Sequence, residues 1–157
     1  MKVSDVLKVK GTAVMTVRPA ETIQVVAKRL RQDGVAALIV SNNGVALDGI
    51  ITERDLSIGI ALHGGDVVAM PASDVMTTKV VTCAPGDSIA EVARVMTVRR
   101  LRHLPVKEGT RLVGIVSIGD VLKYRLDEAQ LEEQVPYCHG QSLTLRRWGR
   151  HENRRMH

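Results

Sequence analysis

Two segments of the chain carry one pattern of chemically capable residues. Gly49-Ile50-Ile51-Thr52-Glu53-Arg54-Asp55 and Gly114-Ile115-Val116-Ser117-Ile118-Gly119-Asp120 both read Gly-Ile-(Ile/Val)-(Thr/Ser)-x-x-Asp. A hydroxyl residue three positions before a carboxylate is the spacing of a capping box, with Thr52 or Ser117 as N-cap and Asp55 or Asp120 reaching back to the cap amide. Capping alone explains either segment by itself. Recurrence after a glycine-led apolar run points further, to a shared site. A helix N-terminus offers free N–H groups and a partial positive charge that suit phosphate, and a Thr or Ser hydroxyl adds a donor. A carboxylate one turn in suits a ribose diol instead, as acidic residues do in dinucleotide sites. The combination reads as a nucleotide site.

Basic residues flank the two segments unequally. Arg102-His103 precedes Leu104-Pro105-Val106 in the second half, where the first half has Ala36-Ala37; conversely Arg54 stands where the second half has Gly119. The two sites are therefore expected to differ, with the more phosphate-rich ligand near His103. Arg99 and Arg100 either complement the end of the preceding helix or add charge to that site. No nucleophile–base pair stands out, so no enzymatic activity is expected. Cys83, beside Ala84-Pro85, reads as a small buried apolar residue. Met15, Met70, Met76 and Met96 read as core filler, and two cysteines are too few and too isolated for a disulfide framework or a zinc site.

The elements that position these residues repeat as well. A shift of 66 residues lays Pro19 to Val40 over Pro85 to Val106, and a shift of 65 lays Gly49–Asp55 over Gly114–Asp120. Ser4-Asp5-Val6 matches Ser73-Asp74-Val75 at the head of each copy. Each copy reads strand, helix, strand, strand, helix. Val14–Val17 and Val80–Cys83 are short β-branched runs closed by a nearby Pro. Thr22 and Ser88 are N-caps of amphipathic helices with apolar positions Ile23, Val26, Ala27, Leu30 and Ile89, Val92, Ala93, Met96. Gly34 sits where a helix C′ glycine belongs. Asn42-Asn43-Gly44 and Glu108-Gly109 are hairpin turns, and the second helices begin at Thr52 and Ser117. The boundaries follow: residues 1–66 and 73–127 as two motifs, 67–72 as the link, and 128–157 as a helical extension running into a flexible basic tail. One copy offers a small sheet with a single covered face, and two copies bury those faces together.

Composition narrows the function. The chain has 157 residues, 45% hydrophobic and 25% charged, which excludes disordered and collagen-like classes, and it contains no apolar run long enough to span a bilayer. It lacks Phe, and Tyr124, Tyr137 and Trp148 are its only aromatic residues, so stacking platforms for single-stranded nucleic acid are not expected. The net charge of +5 lies mostly in residues 139–157, where Arg146, Arg147, Arg150, Arg154 and Arg155 face only Glu152. The body is near neutral, which argues against a nucleic-acid partner for it; the alternative reading is a chain that binds nucleic acid or an acidic partner through that tail. No apolar stretch of signal-peptide length opens the sequence, and a cytoplasmic setting is expected.

In its ordered, twice-repeated motifs the sequence resembles a tandem pair of CBS domains, a Bateman module of the stand-alone bacterial type. The match runs over about residues 3–127, through Ser73-Asp74-Val75-Met76-Thr77, Arg102–Val106 and the two Gly-to-Asp segments. The resemblance implies two β-α-β-β-α motifs packed through their sheets about a pseudo-twofold axis. It implies clefts for adenosine ligands (AMP, ADP, ATP or NAD(H), with S-adenosylmethionine ranked behind them) and a sensor that signals to a protein target, usually as a homodimer. Carried over residue by residue, the ribose falls to Asp55 and Asp120. Phosphate or ribose falls to Thr52 and Ser117, and phosphate to Arg102 and His103. Arg54, Ala37 and Pro105 complete the expected site.

Overall fold

A computed structural model describes residues 1–133. The Arg-rich segment 139–157, and the helix end expected at Pro136, lie outside them. The first copy contains α1 (Val3–Lys10), β1 (Thr16–Val17), α2 (Ile23–Asp33), β2 (Ala37–Val40), β3 (Gly49–Thr52) and α3 (Glu53–His63). A 3-10 turn (Gly64–Ala69) and a single helical turn, α4 (Ala72–Val75), lead to α5 (Ile89–Arg99), β4 (His103–Glu108), β5 (Arg111–Ser117) and α6 (Ile118–Glu133). In the first sheet β1 runs parallel to β2 and β2 antiparallel to β3, in the order β1-β2-β3; the second sheet is the antiparallel pair β4-β5.

Local chemistry accounts for most of these boundaries. Thr22 and Ser88 cap α2 and α5 by accepting from the Val25 and Glu91 amides, and α2 ends at Gly34 in the left-handed conformation. One element departs from expectation. Residues 80–83 form no strand; only Cys83 bridges to Val106. Its amide donates to the Pro105 carbonyl at 3.0 Å and its carbonyl accepts from Lys107 at 2.9 Å. The chain then turns away, because the Ala84 amide is captured by Asp87 Oδ2 at 2.8 Å and Pro85 cannot donate to a ladder. The first copy's expected strand is likewise trimmed to Thr16–Val17.

The packing crosses the repeat boundary. Val3, Val6 and Leu7 of α1 are buried with Ile89, Met96 and Leu104 of the second copy, whereas Val67, Ala72 and Val75 lie in the first core with Val26, Leu38 and Ile51. An eight-residue helix is marginal alone. Burying three aliphatic side chains at about 1.5–3 kcal/mol each is what holds α1 in place. A third cluster, Ala37, Ile39, Ile50 and Leu112 with Val14, Leu47, Val80 and Ile115, joins the two sheets. The aliphatic composition thus fills two cores and the layer between them. Among the described residues no helix is long and apolar enough to cross a membrane.

Candidate functional site

At the start of α3 the capping box is complete. The Thr52 amide and hydroxyl donate to Asp55 Oδ2 at 2.8 and 3.0 Å, and Thr52 Oγ1 accepts from the Asp55 amide at 3.3 Å. The other carboxylate oxygen, Oδ1, accepts from the Thr77 hydroxyl at 3.0 Å. A carboxylate can accept about four hydrogen bonds, so Asp55 keeps capacity at Oδ1 for an incoming hydroxyl. The helix N-terminus itself is largely spent. The Glu53 amide goes to the Ala36 carbonyl at 3.1 Å and the Asp55 amide to Thr52, leaving Arg54 N–H as the one amide of the first three without a partner among the described residues. Anion binding here therefore falls to side chains more than to the helix end.

Those side chains are present. A cleft of about 930 Å³ opens beside Asp55, lined by Ala36, Ile50, Thr52, Glu53, Arg54, Asp55 and Ile58 of the first copy. Thr77, Lys79, Val80, Val81, Arg100, Leu101, Arg102, His103 and Ile118 line its other side. This is within the size range of nucleotide and cofactor sites. Four cations, Arg54, Lys79, Arg100 and Arg102, line it with two carboxylates, and none of the four is ion-paired among the described residues. Ile50, Ile58, Val80, Val81, Leu101 and Ile118 supply aliphatic surface for a planar base.

The expected residues divide between places. Thr52, Arg54, Asp55, Arg102 and His103 come together in the cleft. Ala37 lies buried in the cluster between the sheets and leaves the lining position to Ala36. Pro105 is buried in β4, its carbonyl occupied by Cys83. Ser117 and Asp120 form a second capping box, with the Ser117 amide and hydroxyl 2.8 and 2.9 Å from Asp120 Oδ2, but do not line the cleft. Lys10 Nζ donates to Asp120 Oδ2 at 2.6 Å and to the Ile115 carbonyl at 3.0 Å.

Burial is the largest single influence on the Asp120 carboxyl and pushes its pKa up. The hydrogen bonds from Lys10 and Ser117 together outweigh that and hold it below the usual range. Burial, helped by the charge on Lys10, lowers the pKa of His103 from its ordinary value, so the ring is neutral at pH 7 and the positive charge of the cleft lies on the arginines and Lys79. Burial pushes the Cys83 thiol up to about 12, with Asp87 adding to the effect. Such a thiol is inert. Among the described residues no group of three or more His, Cys, Asp or Glu side chains is arranged to hold a metal ion.

Sequence reasoning undervalued three lining residues. Thr77 and Lys79 belong to the head of the second copy, yet Thr77 bonds the first copy's carboxylate and Lys79 lines the cleft beside it, because the heads are exchanged between the cores. Arg100 occupies the position matched to Gly34. It adopts φ 54°, ψ 41° against 63°, 32° for the glycine. An arginine where the repeat places a left-handed glycine was the available signal.

The model of the CBS domain matches residues 3–61 and 72–127. The chain belongs to the CBS-domain family. This CBS pair is 36% identical over 118 residues to the CBS domain-containing protein YhcV of Bacillus subtilis, covering 75% of this chain and 83% of that one. The crystal structure of the CBS-domain protein ATU1752 from Agrobacterium tumefaciens superposes with a TM-score of 0.77 at 38% identity, over 80% of this chain and 99% of the other. Two more distant CBS structures share the fold and hold adenosine compounds. The CBS pair of protein MJ0100 was solved with 5′-methylthioadenosine and S-adenosyl-L-methionine (TM-score 0.71, 24% identity, 82% and 98% coverage). CBSX2 was solved with AMP (TM-score 0.68, 20% identity, 82% and 98% coverage).

Proposed function

We propose that this CBS pair is a non-catalytic sensor that binds an adenosine nucleotide in the Asp55 cleft and passes its occupancy to a protein target. The observation that carries this is the juxtaposition in one cleft of Asp55, with an oxygen open to a ribose hydroxyl, and four cations without ion-pair partners among the described residues. The acceptor and the cations match the two ends of a nucleotide, and the aliphatic walls accept its base without a ring stack. AMP, ADP, ATP and NAD(H) all satisfy this chemistry. S-adenosylmethionine brings a sulfonium cation and no phosphate, and suits the four cations poorly.

Because the cleft is lined by both copies, a ligand that fills it changes the free energy of one packing of the copies relative to another, which is the coupling a sensor needs. Exposed apolar residues on α3 (Ile58, Leu62) and α6 (Leu122, Leu126) give a second copy of the chain a surface to cover, and a cytoplasmic homodimer is the form in which we expect the sensor to act. Titrating AMP, ADP, ATP and NADH into the wild-type chain and into Asp55→Asn tests the site. The variant keeps the size of the side chain and loses the charged acceptor. Binding that weakens about tenfold or more supports the reading; undiminished binding places the nucleotide elsewhere.

A further inference from the structure

We propose that Lys10 closes the second copy's site, so that each chain holds one adenosine nucleotide, in the Asp55 cleft, and gains a second only when the Lys10–Asp120 pair is broken. This rests on the reading of the two repeated aspartates as ribose acceptors.

The match of Ser4-Asp5-Val6 with Ser73-Asp74-Val75, a shift of 69 residues, continues to lay Lys8 over Thr77 and Lys10 over Lys79. The two matched lysines are used differently. Lys79 is exposed, lines the cleft and has no ion-pair partner among the described residues. Lys10 is folded onto Asp120 Oδ2 at 2.6 Å and braced by the Ile115 carbonyl at 3.0 Å.

The cause lies two residues earlier. In the first copy Thr77 gives Asp55 a neutral hydroxyl partner at 3.0 Å, and Lys79 stays free. The second copy has Lys8 at that position, turned toward Asp5 at 3.9 Å, so Asp120 has no such hydroxyl and draws in Lys10. Charge-assisted bonds are roughly twice as strong as neutral ones. The Lys10 and Asp120 side chains are also only 34% and 22% exposed, so water screens the pair less than it screens a surface ion pair. All the bonds to Asp120 fall on Oδ2, and a ribose diol reaching Oδ1, which accepts none among the described residues, still meets the ammonium pinned between Oδ2 and the Ile115 carbonyl. At Asp55 the diol meets a cleft whose cations are unpaired among the described residues. The same fold therefore carries one open and one plugged copy of its site.

Calorimetric titration with ADP reads the stoichiometry of the full chain, of Lys10→Met and of Lys10→Arg. The expected result is one ADP per wild-type chain, one for Lys10→Arg and two for Lys10→Met, the second lost again in Lys10→Met combined with Asp120→Asn. Lys10→Gln should likewise take up two, which keeps the proposal testable should Lys10→Met fail to fold. Two sites in the wild type, or one site in a folded Lys10→Met or Lys10→Gln, would overturn the plug alone. No ADP uptake by either the wild type or Lys10→Met overturns the nucleotide reading together with it.

Discussion

The Met76 sulfur lies 2.5 Å from the point that a Cβ on Gly49 would occupy, and the Thr77 carbonyl oxygen lies 2.9 Å from it. At Gly114, the matched glycine, the obstacle is the Leu7 side chain at 2.7 Å. The glycine that opens each repeated segment is there because the head of one copy lies across it, and the heads are exchanged. Gly49→Ala must push against a backbone carbonyl and should cost about 1–3 kcal/mol, in the range of overpacked cores. Gly114→Ala meets only the end of a side chain and should cost less. Urea unfolding of the two variants checks the order; equal midpoints would mean that the head segments yield easily.

Arg100 holds a left-handed conformation that costs a non-glycine residue about 1–3 kcal/mol. Replacing it with glycine relieves that strain and raises the entropy of the unfolded chain by an offsetting fraction. Arg100→Gly should therefore melt no lower than the wild type while binding ADP or ATP about tenfold or more weakly, the loss of one charge-assisted phosphate contact. Affinity retained together with raised stability would show that Arg100 does not reach the ligand.

His103 ties stability to pH. Burial, then the charges of Lys10 and Arg102, lower its pKa, with Asp120 and Glu53 acting in the opposite sense. Between the lowered folded value and about 6.5 in the unfolded chain, the unfolded state binds more protons, so stability falls as the pH drops through that window and is unaffected by this residue above it. Denaturant midpoints measured from pH 7.5 to pH 5 should decline more steeply for the wild type than for His103→Gln. Parallel slopes would contradict a half-buried neutral ring.

The repeat, the helix caps, the hairpins and the capping boxes were legible because each is local: Thr52 and Asp55 or Ser88 and Glu91 are three residues apart, and their chemistry dictates their geometry. The exchange of heads was not, because Leu7 meets Gly114 and Met76 meets Gly49 only after the chain has folded. The same limit hid the role of Lys10, which lies 110 positions from Asp120 in sequence, and the use of Thr77 by Asp55. The strand expected at 80–83 was overread from β-branched composition, where a single bridge and the Asp87-held turn leave no room for a ladder.

The exposed apolar residues of α3 and α6 set an expectation for assembly. Leu62 is 74% and Leu126 62% exposed, a cost that covering by a second copy removes. Light scattering after size exclusion should give twice the chain mass for the wild type and move toward the single-chain mass for Leu62→Lys with Leu126→Lys. A wild-type monomer at tens of micromolar would remove the dimer from the picture.

The sensor reading stands or falls on a thermal-shift panel of ligand-free protein with AMP, ADP, ATP, NAD, NADH and S-adenosylmethionine. A ligand at 100 times its Kd stabilises the folded state by about 2.7 kcal/mol, and at roughly 2–4 °C per kcal/mol for a chain of this size the midpoint rises by about 5–10 °C. At least one phosphate-bearing adenosine compound should produce such a rise, and S-adenosylmethionine a smaller one. A folded, ligand-free chain whose midpoint moves with none of them is not an adenosine-nucleotide sensor.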